Sequence, residues 1–455
     1  MARFESRMKA VFSRVLAGLV AAAPFVQSQT PGPAPLTLSL GDAVRLALSA
    51  QGNMAIDIQA ESIKAAEARR RQARAAFLPD IETSITDQEQ ALNLDALGLG
   101  NVQTPLAGFN FPRSSGAFNT LDARVHVRQD LLDTASRRHT QAAGASVESA
   151  RTESGEVRDQ VTAKVAKVYL AALRADTMIE RAEALLATSD STLIEFSNRR
   201  EAGEALGPDV ARARVNRASA EQRLKEARFE RQRSRLQLLT ALNRDLDTPL
   251  HLTGSLTLTG VENTSPADAV AVALKSRSDM LAQGRRIEAA RLNAAAIHSE
   301  RLPSLTGYAN VGTMGTTIRD SIVTYDAGLS LRIPVFDGHR RDSRSAETDA
   351  LLRQEQLRLS QLEKQVQYEV RQAVLKVELA RGQVEIAADE VEIAAEDLAH
   401  IQRRRGQGVA ATTQSTAAQV NLIEAQDRRA AALYAWNEAR IELMEAMGTI
   451  HTLAE

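Results

Sequence analysis

A seam of small and apolar residues runs through the second half of the chain at alternating spacings of four and three. It reads Val366, Val370, Ala373, Val377, Ala380, Val384, Ala387, Val391, Ala394, Leu398 and Ile401. This sustained heptad pattern predicts a long helix lying against another helix as a coiled coil. The seam returns in phase 205 positions earlier, as Val161, Val165, Val168, Ala172, Ala175, Ile179, Ala182, Leu186, Ser189, Leu193 and Phe196. The same shift carries Asn421 onto Asn216 and Gly408 onto Gly203. The chain is therefore a tandem duplication of one supersecondary unit. Alanine along the seam lets helices approach closely, which predicts thin-walled packing rather than a bulky core. Aromatic residues make up only 4% of the chain, in keeping with that.

Each long helix is fed by an amphipathic strand. From Tyr325 to Ile333 the residues alternate strictly, with Tyr325, Ala327, Leu329, Leu331 and Ile333 on one face. Asp326, Gly328, Ser330 and Arg332 lie on the other. Period two with one apolar face predicts a half-buried strand. Pro334 ends it, having no N–H for the ladder. After Asp337-Gly338 a charged, proline-free run of about 65 residues predicts roughly 100 Å of helix. In the first half, Leu121, Ala123, Val125 and Val127 alternate with Asp122, Arg124, His126 and Arg128 ahead of the other long helix. Two more strands complete the set. Ile81, Thr83 and Ile85 alternate with Glu82, Ser84 and Thr86, and Leu305, Gly307, Ala309 and Val311 alternate with Thr306, Tyr308 and Asn310.

Residues 1–28 have the pattern of a secretory signal: Arg3, Arg7, Lys9 and Arg14 precede the apolar run Val15 to Val26, and Val26-Gln27-Ser28 suits cleavage. The first repeat is placed at 29–250 and the second at 251–455. Ser39 or Asp42 is positioned to cap a first helix through Ala43-Val44 and Ala47-Leu48, echoed by Ser265 and Asp268 ahead of Ala269-Val270 and Ala273-Leu274. That first helix is expected to run to Phe77, where Leu78-Pro79 stops it. Residues 90–119, holding Gly98, Gly100, Pro105, Gly108, Pro112 and Gly116, are expected to form a long loop. The linker between repeats, 247–260, reads as strand-like. The long helices are expected to reverse at Gly203 to Asp209 and at Arg405-Gly406-Gln407-Gly408.

Several functions are excluded by composition and spacing. The 56 basic and 57 acidic residues are well mixed, giving no electrostatic case for nucleic acid. Cysteine is absent, which removes disulfides, thiolate metal sites and a lipidated cysteine. The seven histidines are scattered, with no HExxH and no glycine-rich phosphate loop. Carboxylate pairs such as Asp389-Glu390 sit on helices crowded with Arg and Lys, as solvated faces do. The residues supply no catalytic constellation, no cofactor site and no metal site.

Function must then lie in assembly. Four amphipathic strands have two open edges and an apolar face that needs a core or lipid. The rest of the chain is coiled coil, so lipid is the better partner. A single-chain outer-membrane barrel needs about eight strands at least, so several chains must share one barrel.

At this point the sequence resembles the outer-membrane efflux proteins, the TolC-like channels. The matching residues are Leu38-Ser39-Leu40-Gly41-Asp42-Ala43-Val44 with Ala47-Leu48, Phe77-Leu78-Pro79, Arg301-Leu302-Pro303, the corner Ile333-Pro334-Val335-Phe336-Asp337-Gly338, and the turns near Gly203 and Gly408. The resemblance covers nearly the whole mature chain, and the doubled order of the motifs makes it specific. It implies an α+β membrane protein, a homotrimer with a twelve-stranded barrel in outer-membrane lipid and a helical tunnel in the periplasm. It implies a passive exit duct for tripartite efflux or type I secretion, docked at its tip on a periplasmic adaptor and an inner-membrane transporter. Carried onto this sequence, the tip residues are Arg200, Gly203, Arg404, Arg405, Gly408 and Val409. The lipid-facing strand positions include Val125, Val127, Leu329 and Leu331.

The sequence departs from the family in places. The first corner, Gln129-Asp130-Leu131-Leu132-Asp133, has no proline, and Gln414 and Ala417 stand where the best-known channels narrow the tip with acidic residues. Asp209 is the one carboxylate shortly after either turn, a candidate constriction with Gln414 or a cap for the returning helix. A periplasmic adaptor is a poorer match, because adaptors carry one hairpin and more β sequence. A soluble coiled-coil scaffold would leave the four strands without use.

Overall fold

The computed structural model describes residues 36–98, 112–258, 265–407 and 412–454. The expected signal segment, Gly408 and Val409 lie outside the described residues.

The first repeat begins with β1 (Leu36–Leu38), α1 (Leu40–Leu48) and α2 (Met54–Ala75). Strands β2 (Asp80–Asn93) and β3 (Ser114–Leu132) follow, then helices α3 (Thr134–Glu201) and α4 (Gly207–Ala241). After β4 (Leu250–Leu252) the order restarts with α5 (Pro266–Ser276) and α6 (Ser278–Ser299). Strands β5 (Ser304–Gly315) and β6 (Ile322–Arg332) precede α7 (Arg340–Gly406) and α8 (Thr412–Met447), with a 3₁₀ turn at Ile450–Ala454.

Ser39 starts α1 as expected. Its hydroxyl accepts the Asp42 N–H, and the Asp42 carboxylate accepts the Ser39 N–H in return, a capping box. Hydrogen bonds from Ser39 and then Arg45 hold the Asp42 carboxyl down to about 2.

The helix expected to reach Phe77 is instead broken at Ser49–Asn53. Gln51 takes the left-handed conformation, with φ of 60°. A Cβ on Gly52 would lie 2.0 Å from the Leu46 carbonyl oxygen, so only glycine fits the bend. Asn53 then caps α2, accepting the Ala55 N–H at 2.9 Å. The second repeat breaks at the equivalent place, Arg277.

The loop expected over 90–119 is shorter, because β2 and β3 extend it from both sides as a paired ladder to Asn93 and Ser114. Residues 88–90 (Gln-Glu-Gln) have no apolar face, so period two was invisible there. In the linker only Leu250–Leu252 is strand, pairing parallel with Leu36–Leu38. Residues 253–258 are irregular, although Gly254 donates its N–H to the Tyr169 hydroxyl, which itself donates to the Leu38 carbonyl.

The four long strands form one antiparallel sheet in the order β2-β3-β5-β6. Each seam is buried against its own neighbouring helices, the α3 seam on α1 and α4 and the α7 seam on α5 and α8. Val165, Ala172, Ala175 and Ala182 are buried on α3, and Val370, Val377, Ala380 and Ala387 on α7. The helices form a single layer. Nearest the sheet the contacts run α2–α3–α6–α7, and in the far half α4–α3–α8–α7. Helices α3 and α7 thus run the whole length, roughly 100 Å each. The shorter helices meet end to end midway: Asn53 donates to the Ala241 carbonyl at 2.8 Å, and Arg277 to the Ala446 carbonyl at 3.2 Å.

Candidate pore lining and docking tip

The sheet has two chemically distinct faces, set by the register. One row reads Ile81, Val127, Ala309 and Ala327, and the next Thr83, Val125, Val311 and Tyr325. Leu329 and Leu331 continue this apolar face on β6, paired with Gly307 and Leu305. Among the described residues nothing covers it: Tyr325, Leu329 and Leu331 are all exposed. The sequence-derived face is the observed one, with Val125, Val127, Leu329 and Leu331 together. A bulge between Asp130 and Leu132 shifts the register just before the last pair of the β3–β5 ladder, Leu132 with Leu305.

The opposite face is polar and cross-linked. Ser84 Oγ lies 2.9 Å from His126 Nε2, and His126 Nδ1 lies 2.8 Å from Asn310 Oδ1. Asn310 in turn donates to Asp326 at 2.8 Å. One hydrogen-bonded chain therefore crosses all four strands. Arg124 adds a branch, 3.1 Å from Asp122 and 3.6 Å from Asp326. Asp130 accepts from Thr306 at 2.8 Å. In sequence His126 is one of seven scattered histidines. The signal was present in its alternation with Arg124 and Arg128, but partners so far apart in sequence become visible only with the register.

Hydroxyl, imidazole and amide in this order resemble a nucleophile with its base and orienting group. Catalysis of acyl transfer also needs N–H donors aimed at the developing oxyanion. Backbone amides of strands lie in the plane of the sheet and aim at neighbouring strands, not at the polar face. The network gives this face a continuous row of hydrogen-bonding groups. It does not assemble a reaction centre.

At the far end of the helices, Gly203 takes φ of 80° where α3 reverses into α4, a conformation L side chains rarely adopt. Arg200, Arg404 and Arg405 are exposed there. They stand in the last turns of α3 and α7, where cations favour the helix dipole. Arg405 reaches Glu195 of the other repeat at 3.3 Å, bringing the two turns together. Asp209 is the third residue of α4, and its carboxylate accepts the Leu206 N–H at 3.2 Å. Leu206, not Asp209, holds the N-cap position. Gln414 is exposed on the first turn of α8.

Midway, α3, α6, α7 and the end of α8 line a half-open charged cavity of about 370 Å³. Arg277 bridges Asp279 and Glu369 at 2.7 Å each, Lys167 pairs with Glu445, and Lys376 with Glu442. Burial opposes the charge on Arg277, but the two carboxylates override it and raise its pKa. Burial likewise raises the Asp159 carboxyl, against a hydrogen bond from Ser278. Among the described residues, no helix is long and apolar enough to cross a membrane, and no cluster of three or more His, Asp or Glu is placed to hold a metal.

The sequence model of the outer membrane efflux protein family matches residues 46–244 and 269–449, one stretch in each repeat. No curated protein matches the chain in sequence. Solved structures match along most of it. The CmeC outer membrane channel of Campylobacter jejuni is 14% identical, with a TM-score of 0.75 over 90% of this chain and 85% of that one. The outer membrane protein VceC of Vibrio cholerae is 18% identical, with a TM-score of 0.71 over 90% and 96%. The MtrE outer membrane channel of Neisseria gonorrhoeae, in its open state, is 17% identical, with a TM-score of 0.72 over 90% and 88%. The fold is that of channels in which three chains share a twelve-stranded barrel continuous with a helical tunnel. With both repeats matched and the barrel face and tunnel wall in place, the chain belongs to the outer membrane efflux protein family, passive exit ducts of the outer membrane and not enzymes.

Proposed function

We propose that three copies of this chain form the duct, with the Ser84–His126–Asn310–Asp326 face lining the barrel and the Val125–Leu329 face against lipid. The observation that carries this is the pair of open edges. Strands β2 and β6 end the sheet, while α2 with α4 and α7 end the helix layer. A sheet with unpaired backbone at both edges closes by meeting copies of itself.

The turns at Gly203 and at 405–408 are the docking end, where Arg200, Gly203, Arg404 and Arg405 meet a periplasmic adaptor and, through it, an inner-membrane pump. Members of the family work as trimers with such partners. The exposed arginines favour an acidic surface on the adaptor. Asp209 serves α4 as a first-turn acceptor, with a ring at the tip as the competing role.

Two measurements test this. The protein should remain in outer-membrane vesicles through alkaline extraction. Cysteines placed at Arg200 or Arg404 should cross-link to a periplasmic adaptor in intact cells, and those on β6 should not. Release by alkali would sink the barrel assignment, and cross-linking only through β6 would sink the tip.

A further inference from the structure

The duplication specifies contacts that one chain cannot make by itself. Between the two repeats, α3 packs sideways on α8. Arg174 Cζ lies 5.1 Å from the centre of the Tyr434 ring, and Arg181 donates to Gln426. Leu170 is buried in one cluster with Ile441. Moving the α3 member forward by 205 positions and the α8 member back by 205 turns these into pairs between α7 and α4. Arg174 and Tyr434 become Leu379 and Phe229, Leu170 and Ile441 become Leu375 and Leu236, and Arg181 and Gln426 become Ile386 and Glu221.

The shift holds in the structure as well as in the sequence. Ala213, Ala220, Ala227, Ser234 and Ala241 are buried on α4, and so are Ala418, Ala425, Ala432, Ala439 and Ala446 on α8. The two helices therefore present the same faces to their long partners. Within one chain α4 and α7 lie at opposite edges of the layer, so the shifted pairs cannot meet. Four of their apolar side chains are left in the open, Leu379 63% and Phe229 67% exposed, with Leu375 and Ile386 exposed on the same helix as Leu379, while Leu236 is half-buried.

We infer that Leu379 packs on Phe229 of the next copy, and Leu375 on its Leu236. The Arg174–Tyr434 contact between repeats then has an apolar counterpart between copies, Leu379 on Phe229, and the apolar Leu170–Ile441 contact recurs as Leu375 on Leu236. Each copy offers one partner at either edge, a head-to-tail contact that closes a ring. This rests on the trimeric reading above and adds to it which residues meet and in what register.

The chain contains no cysteine, so thiol cross-linking has no background. The full chain with Leu379→Cys and Phe229→Cys, treated in outer-membrane vesicles with a short bismaleimide, should give a denaturing-gel ladder ending at a covalent trimer. Leu379→Cys with Val215→Cys, displaced along α4 by about 21 Å, should stay monomeric on the same gel. Trimers by native mass without a 379–229 cross-link would overturn the pairing and leave the trimeric reading standing. A monomer by native mass would overturn both. If the cysteine pair fails to reach the membrane, a second comparison decides. Leu379→Arg with Phe229→Tyr copies the Arg174–Tyr434 pair onto the joint and should keep wild-type trimer levels, while Leu379→Arg with Phe229→Lys should lose most trimer. Equal trimer levels from these two would overturn the inference.

Discussion

His126 and Asn310, 184 residues apart in sequence, face each other across β3 and β5 with 2.8 Å between Nδ1 and Oδ1. Because the Asn310 amide donates to Asp326, its oxygen faces the ring, and Nδ1 carries the proton. Nε2 is then the acceptor for the Ser84 hydroxyl. The chain of donors therefore points one way, from β2 to β6. His126→Ala should leave the barrel assembled, since water in the passage can satisfy Ser84 and Asn310. The loss is on the order of 1 kcal/mol per chain or less, seen as a lower dissociation temperature of trimers on gels. Single-channel conductance should rise as the ring is removed, and an unchanged conductance would place His126 off the passage.

The two faces of β6 should respond oppositely to the same charge. Leu329→Arg puts a guanidinium on the apolar face, at a cost of about 2–4 kcal/mol near the bilayer midplane in such barrels, repeated in every copy. Ser330→Arg points to the polar side, where Thr306 is its cross-strand neighbour. Membrane fractionation should find the first variant lost and the second inserted. Equal insertion would refute the face assignment.

Gly203→Val tests the tip. A β-branched residue at φ of 80° is strained, by about 1–3 kcal/mol, and the strain is confined to the turn. Efflux, measured as drug or dye accumulation in cells, should fall while outer-membrane abundance holds. Full efflux would remove the turn from the mechanism.

Asp209→Asn separates a constriction from a helix contact. Asn keeps an oxygen for the Leu206 N–H, so the start of α4 should survive. A ring of carboxylates in a narrow passage attracts cations, and removing it would shift the reversal potential in a salt gradient. An unmoved potential assigns Asp209 to the helix alone.

Asp159 offers a pH test at the mid-length cavity. Burial raises its carboxyl above the unfolded value, so folding favours the protonated form. Its penalty is absent at acid pH and grows as pH rises through the folded value. Asp159→Asn retains an acceptor for Ser278 and should melt higher than the parent near neutral pH, with the gap closing on acidification. A gap that is the same at both would exclude titration of Asp159 as its cause.

The periodic parts of the molecule were legible from sequence. Val366 to Ala387 had to be buried in register, and Tyr325 to Leu331 had to share a face, because period fixes direction on a helix or strand. What escaped were features with no period. The break at Gln51-Gly52 has no proline, and it depends on a carbonyl six residues away in sequence and in contact only after folding. The outer ends of β2 and β3 are polar on both faces. The Ser84–His126–Asn310–Asp326 chain required a strand register. Leu375, Leu379 and Ile386 recur beside the stronger seam on α7, which masks their own spacing.

The midway joints give the wall an uneven mechanical build. Helices α3 and α7 pass through that level as covalent struts, while α2 and α4 abut there, as do α6 and α8, through Asn53 on Ala241 and Arg277 on Ala446. A torque applied at the tip is thus carried to the barrel by alternate members of the wall, and the members between them take it up as slip at a butt joint.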